Sequence, residues 1–192
     1  IVDGPVDAGP GAAPCPRGQR PGAVPGQAWL DEAFTAERLR QATATAAPDR
    51  LNLLHIGTHF TLRPGEVGKS WLQLGQGQRL QLDEMLAWTW SAQDLVTLSA
   101  CQTGQGGGGE VGGLATLMLS RGAGAVIASL WRVEDRSTAE LMRSLYRHLH
   151  LGSDPAAALR LAQLEFLGSQ AGINGRPHAF HWAGFFLSQR AP

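Results

Sequence analysis

Lysine occurs once in this 192-residue chain, at Lys69, and acidic and basic side chains balance at a formal net charge of zero. With no basic face to neutralise a phosphate backbone, nucleic acid is a poor partner. No apolar run approaches the roughly 20 residues that span a bilayer, and the N-terminus lacks the charged-then-apolar layout of a secretory leader. The expectation is a soluble, cytoplasmic protein with no membrane partner. Cysteine occurs only twice, and not as a disulfide framework: Cys15 lies in a Pro/Gly-rich stretch, while Cys101 ends an apolar run. Cys101 is therefore read as a free thiol. Metal-ligand spacing is absent, and His178 and His181 read as surface and core. The glycine run 104–109 lacks the Gly-Lys-Ser/Thr of a phosphate loop, and no Gly-x-Ser-x-Gly elbow of a serine hydrolase occurs. No cofactor and no metal are expected.

The chain is long enough for one full-sized core, so a single domain over 1–192 is expected. Its start, Ile1-Val-Asp-Gly, reads as the end of a strand and leaves open that the chain is a fragment of a longer one. Residues 4–27 are dominated by Gly, Pro and Ala without apolar period and read as a flexible loop.

The organising stretch is Asp94-Leu-Val-Thr-Leu-Ser-Ala-Cys101, a short apolar run of the kind buried on both faces in a parallel sheet. A helix follows over 111–120. Arg50 to His59 and Ala125 to Trp131 read as further buried strands, and Ala179 to Leu187 as a last, aromatic one. Thr35 heads a helix that ends before Pro48, and Asp83 caps a short helix through Trp88 or Trp90. Asp135 opens a helix running to His150, and Asp154-Pro155 opens another through Leu167. The runs around Gly75-Gln-Gly-Gln form a hairpin. Strands alternating with helices imply a mostly parallel sheet with helices around it.

Two of these strands end on chemically capable residues, His59 and Cys101, and would bring an imidazole and a thiol to one sheet edge. An ordinary thiol, with a pKa of about 8.5, is only a few per cent thiolate at neutral pH, so a neighbouring imidazole matters. The backbone amide of Cys101, beside a glycine-rich turn, could help hold an oxyanion. A buried thiol that simply packs is the competing reading.

The blocks Leu54-His-Ile-Gly-Thr-His59, Leu98-Ser-Ala-Cys-Gln-Thr-Gly104, Gly109-Glu-Val-Gly-Gly-Leu-Ala115, Gly122-Ala-Gly-Ala-Val-Ile-Ala-Ser-Leu-Trp-Arg-Val-Glu-Asp135 and His181-Trp-Ala-Gly-Phe185 occur in this order. Together, from about Trp29 to Leu187, they resemble the CHAT family, caspase-like cysteine peptidase domains of the clan of caspases, separase and gingipains. The resemblance implies a caspase-like α/β three-layer sandwich, with Cys101 as nucleophile and His59 as its base. It makes His55 a core residue. Where the family usually has Gly after the histidine, this chain has Phe60; the Phe60 amide is retained as an oxyanion donor, and its bulk is expected to narrow the cleft.

Two residues before the cysteine, where caspases carry a glutamine, stands Ser99, so an aspartate preference is not implied. Asp135 matches the separase carboxylate that receives basic substrate side chains, and equally suits a helix cap. Trp131 suits a cleft wall or a core plug. The function implied is that of a bacterial cysteine endopeptidase cutting a protein or peptide partner, regulated by a sensor or repeat region outside this chain. The alternative is a catalytically silent binding or scaffolding domain.

Overall fold

The computed structural model describes residues 27–46, 51–63, 66–99, 109–131, 133–169 and 178–190. The expected loop over 4–27 lies almost wholly outside them, as does Cys101.

The chain enters through α1 (Ala36–Ala44), whose first turn is capped by Thr35 Oγ1 accepting from the Arg38 amide at 3.4 Å. Strand β1 (Leu53–Ile56) is followed by β2 (Phe60–Thr61), β3 (Trp71–Gln73), β4 (Arg79–Gln81) and helix α2 (Leu82–Ala87). Next come β5 (Leu95–Leu98), α3 (Gly109–Ser120) and β6 (Ala125–Ser129). Helices α4 (Asp135–His150) and α5 (Pro155–Ser169) lead to the last strand, β7 (Phe185–Gln189).

Among the described residues the main sheet has the order β1-β5-β6-β7, with the first three strands parallel and β7 antiparallel to β6. Its centre is apolar on both faces, as the unbroken runs require. Alternation sorts the side chains. Val96 and Leu98 join Leu54, Ile56, Val126 and Ala128 in a core that includes Leu39 of α1, Met85 of α2 and Met118 of α3. Leu95 joins Ala125 and Ile127 in a second core with Leu141, Leu145 and Leu149 of α4 and Ala158 and Phe166 of α5. The sheet is thus a middle layer between two helical layers, the arrangement expected of a caspase-like α/β fold. Strands β2, β3 and β4 make a small antiparallel sheet on the first side, where Phe60, Leu72 and Leu80 enter the same core.

The turn from α3 into β6 depends on two glycines. Gly122 has φ +116°, and a Cβ there would lie 2.8 Å from the Ser91 amide nitrogen; one on Gly124 would lie 2.7 Å from the Asp94 carbonyl. Neither position can accept a side chain without displacing the lead-in to β5.

Local details differ from the sequence reading. The first strand stops at Ile56, so His59 stands in the link to β2, and the expected hairpin gains β2 as a third strand. Asp83 is the second residue of α2, its carboxylate accepting the Glu84 amide, while Gln81 takes the cap position. Asp135 is the first residue inside α4, and Glu134 precedes it as N-cap. Residues 179–181 form a 3-10 turn, and the strand begins only at Phe185. There the His178 side chain accepts the Phe180 amide, and carbonyls of 178 and 179 take the following amides, which coils the aromatic segment. Asp154 behaves as expected, its Oδ1 accepting the amides of Ala156 and Ala157 at 2.9 and 3.0 Å ahead of Pro155.

Candidate active site

The three parallel strands end within one residue of one another, β6 running on to Ser129. Ile56 of β1 pairs with Leu98 of β5, and Leu98 with Ala128 of β6. His59, Cys101 and Trp131 each follow that row by three residues (59 − 56, 101 − 98, 131 − 128). The carboxyl edge of a parallel sheet is where such folds collect ligands, and here the row is followed in the sequence by a histidine, a cysteine and a tryptophan.

His59 is exposed, and its carbonyl accepts the Gln73 amide at 2.8 Å, tying the link after β1 to β3. Phe60 is 3% exposed, with its ring in the core beside the small sheet. The expected narrowing of a cleft by its bulk is therefore replaced by packing beneath the edge.

His55, two strand positions before the end of that row, is buried. Its Nε2 lies 2.5 Å from Ser99 Oγ and its Nδ1 2.9 Å from the Tyr146 hydroxyl of α4. Burial depresses its pKa to about 4, so the ring is neutral at physiological pH. A neutral ring has one N–H, so one of the two hydroxyls donates to it and the other accepts. Ser99, half-buried, also donates its backbone amide to the Ile56 carbonyl at 3.1 Å. The sequence reading of His55 as a core residue agrees with this burial; its tie to Ser99 is new.

Trp131 is half-buried. Its Nε1 donates to the Phe180 carbonyl at 2.9 Å, its ring stacks on Phe180 with centroids 6.3 Å apart, and a Cβ on Gly184 would lie 2.9 Å from Trp131 Cε2. It packs against the second core as a partly buried residue, as the plug reading expects. Asp135 is exposed at the start of α4.

Beside it, Glu134 accepts from Ser137 Oγ at 3.0 Å, and His181 Nδ1 lies 3.1 Å from the same hydroxyl and 3.7 Å from Glu134 Oε2. This polar cluster escaped the sequence reading. Ser137 and His181 are 44 residues apart, and no local pattern signals their meeting.

Among the described residues no group of three His, Cys, Asp or Glu side chains could hold a metal ion, and no helix is long and apolar enough to cross a membrane. Among curated proteins, none matches this chain. A family model does match, over residues 16–190, almost the whole length and every block from which the edge is built. The chain belongs to the CHAT domain family, a branch of the caspase-like protease clan.

Proposed function

We propose that the chain is a cysteine endopeptidase acting through His59 and Cys101 on a protein or peptide partner. The carrying observation is the shared register row: Ile56 pairs with Leu98, and His59 and Cys101 each follow in the sequence three residues later. In this reading the Cys101 thiol gives its proton to the His59 imidazole, and the sulfur attacks the scissile carbonyl. Backbone amides of Cys101 and Phe60 take the charge of the tetrahedral oxyanion. The imidazolium then returns the proton to the leaving amine, and water, activated by the same imidazole, releases the acyl group.

Ser99, Trp131 and Asp135 line the substrate side. The exposed Asp135 carboxylate favours Arg or Lys immediately before the cut, because a charge-assisted contact of about 1.5 to 3 kcal/mol amounts to roughly ten- to a hundredfold discrimination. Turnover is controlled by a sensor or repeat region outside this chain, and the setting is the bacterial cytoplasm.

A peptide-library cleavage profile tests the reading. Wild type should cut after basic residues, Cys101→Ala and His59→Ala should each be inactive yet folded, and Asp135→Asn should lose the basic preference. An active Cys101→Ala variant would refute the nucleophile. Asp135→Asn with an unchanged Arg-over-Ala margin would leave Asp135 as a favourable charge in a helix first turn and nothing more.

A further inference from the structure

The hydrogen-bonded set Ser99, His55 and Tyr146 is more than core filling, because of where it is anchored. Ser99 is the first residue beyond β5 and stands two before Cys101; His55 stands four before His59. The Ser99–His55 contact therefore joins the two chain segments that carry the proposed dyad. The Tyr146 hydroxyl holds the far side of the ring from α4, 91 residues away, with ring centroids 5.6 Å apart. Space for the contact is provided by a glycine. A Cβ on Gly57 would lie 3.2 Å from Ser99 Oγ and 3.7 Å from His55 Nε2, so a side chain there would press on both partners.

Apolar packing alone would hold β1 beside β5 without fixing how the chain leaves each strand. Directional hydrogen bonds at the exit do fix it, and a reacting pair misplaced by about 1 Å can lose roughly a hundredfold in rate. We propose that Ser99, His55 and Tyr146 form a positioning bracket that sets the approach of Cys101 to His59. These are positioning residues: they act through the dyad, and the inference rests on the dyad reading.

The neutral state of the ring supports this role. A charged imidazole would turn both nitrogens into donors toward hydroxyls that must then both accept, whereas a neutral ring accepts at one nitrogen and donates at the other. The bracket thus has a definite hydrogen-bond sense through three groups.

The test is the pH profile of iodoacetamide labelling at Cys101, read by peptide mass mapping against Cys15 in the full chain, with kcat and KM measured alongside. In wild type the Cys101 profile should fall below the ordinary thiol value of about 8.5, and His59→Ala should abolish that depression. Ser99→Ala should move the profile up by about one unit and lower kcat about ten- to a hundredfold. Ser99→Thr, which keeps the hydroxyl, should restore both, and Tyr146→Phe should give a smaller shift in the same direction. Loss of thermal stability without movement of the profile would reduce the set to core packing and overturn the bracket. A wild-type Cys101 that titrates like Cys15 would overturn the dyad itself. A depressed wild-type profile that Ser99→Ala leaves in place would overturn the bracket alone.

Discussion

Helix α4 faces two polar assemblies, one on each side of neighbouring residues. Inward, Tyr146 meets His55 and through it Ser99. Outward, Arg147, Ser144 and His148 converge on the Glu165 carboxylate of α5. The outward group has more partners and full charges, and the Ser144 hydroxyl, aided by His148 and Arg147, holds the Glu165 carboxyl below its usual range. Yet the Glu165 side chain is 43% exposed, whereas His55 is 3% exposed. Water reaches the Glu165 carboxylate and hardly reaches the His55 ring, so solvent access, rather than the number of partners, decides what each assembly is worth.

The largest expected effect comes from emptying the buried side. His55→Ala leaves the Tyr146 and Ser99 hydroxyls without their shared partner and opens a cavity, a combined cost of about 3 kcal/mol. His59→Ala, four residues on and exposed, should stay within about 0.5 kcal/mol of wild type. Urea denaturation of the two variants checks this; equal losses would erase the distinction between the histidines.

A similar magnitude should appear with pH. His55 has its folded pKa lowered to about 4 from an ordinary 6.5. The unfolded chain therefore binds the proton first as pH falls, so the contribution is complete above pH 6.5, declines between 6.5 and 4, and levels off below. The loss is on the order of 3 kcal/mol. A stability curve for His55→Gln that loses this slope, compared with wild type in the same buffers, would assign it. An identical slope in both would place the titration elsewhere.

The smallest effect belongs to the outward group. Glu165→Gln should cost less than about 1 kcal/mol after screening by solvent. Because the carboxylate pKa is lowered, its contribution is present above the ordinary carboxylate range and lost as pH falls through the folded value. Thermal melts with and without 1 M salt, where the Debye length is about 3 Å, should converge for wild type and variant; a larger salt-resistant loss would mean that the cluster is better shielded than its exposure implies.

How much of this was legible in the sequence depended on the range of the forces involved. Strands β1, β5 and β6 were visible because each is a short apolar run between turn residues, and α5 because Asp154 and Pro155 mark its start within two positions. The role of His55 was not visible. In a strand buried on both faces, alternation does not say which way a residue points, and its deciding partner is 91 residues away. The last strand was placed early because Phe180 and Trp182 have strand composition, while the hydrogen bonds that coil them begin at the cap formed by His178. The type of Asp135 suits a cap as well as a receptor for basic side chains, and composition does not show that Glu134 occupies the cap position, without a side-chain cap bond. The family resemblance, carried by five ordered blocks, told more about the edge than any local signal, and the matched span of residues 16–190 bears it out.

In the proposed dyad, the common row behind His59 and Cys101 also makes chain length a functional quantity. Three links of equal count leave Ile56, Leu98 and Ala128 like marks on one ruler. Surface connections ordinarily absorb an extra residue at little cost. An insertion between Ile56 and His59 would instead slide the imidazole by as much as about 3.5 Å relative to its neighbours, farther than a proton can be handed across.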